Sequence, residues 1–131
     1  MHYLQAFAGI MAAISVLLSA WLSHSKGTLS LIQVKNIETA LLFAFIHSIA
    51  IFICVLLNRV NSHQRQDKLS VCAASLFTFG IVSFSGLITV KQFIAIGMLA
   101  KLTPLGGMAF ALGWLVLGFA STKVERYVKD K

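Results

Sequence analysis

The residues of this chain that could do chemistry are few. His47 lies in the middle of the apolar run "FAFIHSIAIF" with Ser48 beside it. An ionisable side chain in such a run raises the question of a proton, ligand or solute contact. The competing role is structural: a neutral imidazole shares a hydrogen bond with a serine or backbone carbonyl of the next helix and orders the packing. No Asp or Glu lies in any of the apolar runs to exchange a proton with it, which favours the structural role. His24 falls at the end of the first run, where a cation complements the helix dipole. His24 and His47 fall at different depths, so a shared metal site is not expected.

The "TPLGG" stretch, Thr103 to Gly107, suggests a different chemistry. Glycines at a helix start can free backbone amides to hold an anion. The hydroxyl and lysine pattern of a phosphate-binding loop is missing here, so close helix packing is the favoured explanation. Cys54 and Cys72 are too few and too far apart for a CxxC redox pair or a zinc site. They flank one loop at similar depth and are read as buried, inert thiols.

The elements that position these residues are set by composition. The chain has 131 residues, 58% hydrophobic and 11% charged, with a mean hydropathy of +0.86. That is too apolar for an ordinary water-soluble domain. A spanning helix needs about 20 apolar residues, which leaves room for four spans in a single domain, residues 1–131. The formal net charge of +7 does not point to nucleic acid, because every Lys and Arg lies between or beyond the apolar runs, where cations meet anionic lipid head groups. The first run lacks a basic leader and a small-x-small cleavage site, so it is expected to stay as a helix.

The spans are expected at about 3–23, 40–57, 69–90 and 104–121. In the first, Ala6, Gly9, Ala13 and Ala20 suggest a small-residue face for a neighbour. Between the first two spans, "LSLIQVK" suggests a short amphipathic interfacial helix, with Asn36 capping the second span. The polar loop "NRVNSHQRQDK" makes the second and third spans an antiparallel hairpin. Ser75, Gly80, Ser83, Ser85 and Gly86 mark the third span as small and hydroxylic, with hydroxyls bonding their own preceding turn or packing on a neighbour. "FIAIGMLA" after it is too short to cross and reads as an interfacial or re-entrant piece.

Arg59, Arg65, Lys68, Lys123, Arg126, Lys129 and Lys131 lie on one side of this topology, and Lys26, Lys35, Lys91 and Lys101 on the other. Seven against four places both termini in the cytoplasm.

Thr103 before Pro104 reads as a helix cap followed by proline at the first helical position. Gly106, Phe110 and Gly113 form one stripe of the last span; Gly107, Ala111, Trp114 and Gly118 form a second. A helix smooth on two sides is expected in the middle of a bundle, with Phe110 and Trp114 filling the spaces beside the glycines.

In this order and spacing, "SAWLSH" (Ser19 to His24), "ETALLFAFIHS" (Glu38 to Ser48), "FSG" (Phe84 to Gly86) and "TPLGGMAFALGW" (Thr103 to Trp114) resemble the DUF423 family of small inner-membrane proteins, related to the transmembrane protein 256 group. The resemblance covers nearly the whole chain. It implies a multi-pass four-helix protein of the bacterial inner membrane with no established enzymatic activity, no catalytic residues and no cofactor. The family pattern falls on His24, His47, Ser85, Gly86, Thr103, Pro104, Gly106, Gly107, Phe110, Gly113 and Trp114.

The expectation is therefore an all-α integral membrane four-helix bundle of up-down hairpins. Its role would be structural or membrane-organising, alone, as a homo-oligomer or within a larger membrane complex. The other class is a small-solute or ion transporter with a polar path around His47, Ser85 and Thr103. An enzyme is disfavoured, because no paired carboxylates or nucleophile-base pair occur in the spans.

Overall fold

The computed structural model describes residues 1–24, 28–60 and 64–129, with 64–67 and 121–129 described by helical path alone. Helix α1 is His2–His24, α2 is Leu31–Val60, α3 is Gln64–Gly80 and α5 is Thr103–Lys129. Between α3 and α5 the chain passes through a π-helical segment, Ile81–Gly86, a short α4, Leu87–Val90, and a 3₁₀ segment, Gly97–Leu102. There is no strand among the described residues. Four stretches are long and apolar enough to cross a membrane: His2–His24, Leu31–Val60, Lys68–Val90 and Gly97–Ala120.

Neighbouring spans run antiparallel, as the contacts between their ends show. Arg59 near the end of α2 donates to Gln5 Oε1 near the start of α1 at 2.7 Å. At the opposite end, Gln33 Nε2 of α2 donates to the Gln92 carbonyl beyond α4 at 2.9 Å. Gly113 of α5 faces Phe77 of α3, and Gly106 faces Phe84.

The second span starts earlier than the apolar run predicts. Ser30 caps it: the Gln33 amide donates to Ser30 Oγ at 3.3 Å, and Gln33 Oε1 accepts from the Ser30 amide at 3.0 Å. This reciprocal Ser-x-x-Gln arrangement satisfies two amides that would otherwise lack partners. The residues expected to form a separate interfacial helix are thus the first turns of α2. Asn36 is an interior residue, not a cap, and its amide donates to Gln92 Oε1 at 3.4 Å.

The packed face of α1 also differs from expectation. Ala8, Ser15 and Leu22 are buried, one residue per two turns, while Ala6, Ala13 and Ala20 are exposed. Gly9 of the expected small face is half-buried, and a Cβ there would stand 3.8 Å from the Phe52 ring. The contact face holds two small residues, Ala8 and Ser15, and one large one: Leu22 joins Val34, Ile37 and Leu41 in an apolar cluster.

The last span is not the centre of the bundle. Half of the apolar window of α2 is buried, against 28% for the last span and 17% for the first. The main core gathers Ala44, Ile51, Cys54, Ala73, Phe77, Ile81 and Phe110, so α2 and α3 are the inner elements. One face of α5 packs on α3 and the π segment; on its other face Ala111 and Gly118 are exposed, and nothing stands within 4 Å of a Cβ at Gly118. The second glycine stripe therefore meets a neighbour only in part: Trp114 reaches His47, while Ala111 and Gly118 face outward.

The third connection enters α5 directly through its 3₁₀ segment, with Gly97 at φ 52°, a left-handed conformation that glycine adopts without the Cβ penalty. Phe93, Ile94, Met98 and Leu99 are exposed there, which suits a segment lying at the membrane surface. Cys54 is buried and Cys72 exposed, both as free thiols, so the expectation of two buried cysteines holds for Cys54 alone.

Candidate functional site

His47 stands at the junction of α2, α3 and α5 and is 4% exposed. Its Nδ1 lies 2.7 Å from the Phe43 carbonyl one turn back on α2. Trp114 Nε1 of α5 lies 3.2 Å from His47 Nε2. An indole nitrogen can only donate, so Nε2 must accept and the ring proton resides on Nδ1, which donates to the Phe43 carbonyl. Both nitrogens of a neutral imidazole are thereby satisfied.

The ring is closed in by aromatics. Phe110 stacks on it with centroids 3.5 Å apart and planes 13° from parallel, and Phe43 and Phe77 approach within 5.8 and 5.5 Å. Phe84 extends the cluster, with its centroid 5.2 Å from that of Phe43 and 5.7 Å from that of Phe110. The partner expected for His47 was a serine or carbonyl of the next helix. The structure supplies instead a carbonyl of its own helix and the indole of the last one.

The glycines make this enclosure sterically feasible. A Cβ at Gly113 would sit 2.6 Å from the Phe77 ring, and one at Gly106 would sit 2.6 Å from the Phe84 backbone nitrogen. A Cβ at Gly80 would collide with the Phe110 ring. The interlock is reciprocal: Phe77 of α3 fills the hollow at Gly113, while Phe110 of α5 fills the hollow at Gly80. Phe77 and Gly80 were not among the expected site residues, and pairing them with α5 required knowing the helix register.

Gly106 abuts Ser83 and Phe84, and Gly107 lies in ordinary contact with the Phe84 ring. Both glycines thus lie on the side of α5 that meets Phe84 of the π segment. Phe110 is buried, as expected of a filler, but Trp114 is 43% exposed and acts through its indole N–H more than through its bulk.

The remaining expected residues lie elsewhere. His24 is exposed in the last turn of α1, as the dipole argument places it. Ser83 Oγ donates to the Phe79 carbonyl at 2.7 Å, as do several hydroxyls to their preceding turns. Ser85 does not follow that expectation: its Oγ is buried without a hydrogen bond, as is Thr103 Oγ1. Thr103 is therefore not a side-chain cap; its amide bonds the Ala100 carbonyl of the 3₁₀ segment, which takes over that task. Pro104 is exposed in the first turn of α5, where its missing N–H is harmless. A Cβ at Gly86 would meet the Ile81 carbonyl oxygen at 3.6 Å, an ordinary contact. Among the described residues no three His, Cys, Asp or Glu side chains converge in a way that could hold a metal.

The family described as "Protein of unknown function (DUF423)" matches residues 18–107. A UPF0382 membrane protein of Haemophilus influenzae is 31% identical over 82% of this chain and 84% of its own. The UPF0382 membrane protein YwdK of Bacillus subtilis is 29% identical over 87% and 91%. The UPF0382 inner membrane protein YgdD of Escherichia coli K12 is 28% identical over 95% and 93%. No solved structure matches the chain. With the family pattern covering well over half of its length and the four apolar spans in place, the chain belongs to the DUF423 family of membrane proteins.

Proposed function

We propose that the protein works without catalysis, as a structural or membrane-organising component of the bacterial inner membrane, with both termini in the cytoplasm. It would act alone, as a homo-oligomer or as a small subunit of a larger membrane complex. The observation that carries this reading is the state of His47. A histidine that exchanges protons or binds a solute needs a free nitrogen, and both of its nitrogens are committed, to the Phe43 carbonyl and the Trp114 indole. The rings of Phe110 and Phe77 lie against the imidazole and give it apolar surroundings.

The alternative, a small-solute or ion path, draws on Ser85 and Thr103, two of the three buried hydroxyls without partners among the described residues, the third being Ser70. Reconstitution separates the readings. Proteoliposomes holding the purified chain are expected to pass protons, monovalent ions and small polar solutes no faster than empty vesicles, while lipid order reported by a polarity-sensitive dye changes with protein density. A flux above the empty-vesicle level that is abolished in a folded His47→Leu variant would overturn the structural reading.

A further inference from the structure

A cavity of about 400 Å³ lies between α1 and α2, away from the His47 core, with Ser15, Ser19, Glu38, Leu41 and Phe45 among its lining residues. Its size falls within the range of roughly 300–1,000 Å³ typical of small-molecule sites. Leu41 is buried as part of the α1–α2 apolar cluster, whereas Val16, Leu42 and Phe45, which also line the cavity, are exposed on the lipid side. The cavity thus opens sideways into the bilayer.

Glu38 gives it a chemical polarity. The apolar run from Ala40 to Leu57 is centred near Ser48, and Glu38 precedes that centre by ten residues. At a rise of about 1.5 Å per residue this is about 15 Å, half of a hydrocarbon core about 30 Å thick. The carboxylate therefore stands at the boundary between acyl chains and head groups. It forms no hydrogen bond or ion pair with any described residue. Lys35, Glu38, Leu42 and Phe45 follow one helical stripe, so a cation lies one turn outward of the carboxylate and apolar walls lie inward.

We infer that this cavity holds a bilayer lipid whose head group carries a primary ammonium, a phosphatidylethanolamine. The ammonium donates to the Glu38 carboxylate, Lys35 one turn outward lies within reach of the phosphate, and Ser15 and Ser19 line the deeper part of the cavity. One acyl chain follows the Leu41, Leu42 and Phe45 wall. A trimethylammonium head has no N–H to donate, and a glycerol head has no cation, so both match the site less well. The inference does not depend on the reading of His47, and its failure would leave that reading untouched.

The test is the lipid retained by the full chain purified in mild detergent after exposure to equal amounts of phosphatidylethanolamine, phosphatidylcholine and phosphatidylglycerol, measured by native mass spectrometry. Phosphatidylethanolamine is expected to be retained about tenfold over each of the others, the weight of one charge-assisted hydrogen bond. Glu38→Gln is expected to erase that preference, and Val16→Trp, which fills the cavity, to remove the bound lipid. Equal retention of phosphatidylcholine, preference for phosphatidylglycerol, an unchanged preference in Glu38→Gln, or a second copy of the chain in place of lipid would each overturn the proposal. If a variant does not fold, the preference of the wild-type chain for phosphatidylethanolamine over phosphatidylcholine still decides.

Discussion

Trp114 and His47 lie 67 residues apart in sequence, yet the indole N–H of one donates to Nε2 of the other across 3.2 Å. The bond ties α5 to α2, two elements whose backbones touch little, through a ring buried between them. It also defines the histidine's tautomer, because the remaining nitrogen must then be the donor to the Phe43 carbonyl.

Breaking this bond should weaken the bundle measurably. Trp114→Phe keeps an aromatic ring and removes the donor. Hydrogen bonds between membrane helices are worth about 0.6 kcal/mol on average and up to about 1.7 kcal/mol. The substitution is expected to destabilise within that range. A double-mutant cycle with His47→Leu, read by unfolding in detergent, should show coupling of similar size. Additive effects would mean that the two side chains do not interact.

The glycines should fall into two classes. Gly80→Ala and Gly113→Ala insert a methyl into the Phe110 and Phe77 rings and are expected to destabilise by about 1–3 kcal/mol, the usual penalty of overpacking. Phe77→Leu should partly rescue Gly113→Ala and leave Gly80→Ala unrescued. Gly118→Ala meets nothing within 4 Å and should be neutral or stabilising by up to about 1 kcal/mol through helix propensity. Thermal unfolding of these single and double variants checks the ordering.

The two thiols should react unequally. Cys54 is buried in the main core and Cys72 is exposed on the third span. A maleimide that partitions into the bilayer is expected to add one label per chain, lost in Cys72→Ser and kept in Cys54→Ser. Equal labelling of both would contradict the packing of α2 against α3.

The four spans were legible because lipid imposes a simple rule on composition: about 20 apolar residues form a helix whatever their finer propensities. Gly106, Phe110 and Gly113 were legible for a related reason, since small and large residues alternating at helical spacing signal interlocking. What the letters did not carry is which face meets which neighbour. The alanines of α1 looked like a contact face, yet Ala8, Ser15 and Leu22 are buried instead, because in a wholly apolar helix nothing marks inside from outside. The same ambiguity assigned a neighbour to Gly118. The π segment at Ile81–Gly86 has no sequence signature beyond the flanking glycines, although it sets the register that brings Phe84 against Gly106. The Ser30-x-x-Gln33 cap was readable as a motif and was masked by the stronger apolar signal that begins at Ala40.

His47 is a closed, neutral group bonded on both nitrogens inside the protein. ¹⁵N solid-state NMR of the chain in bilayers near neutral pH tests it directly. A single His47 tautomer is expected, with Nδ1 protonated and Nε2 accepting, and an Nε2 resonance that moves on Trp114→Phe. A proton found on Nε2, or an Nε2 resonance indifferent to Trp114, would contradict it.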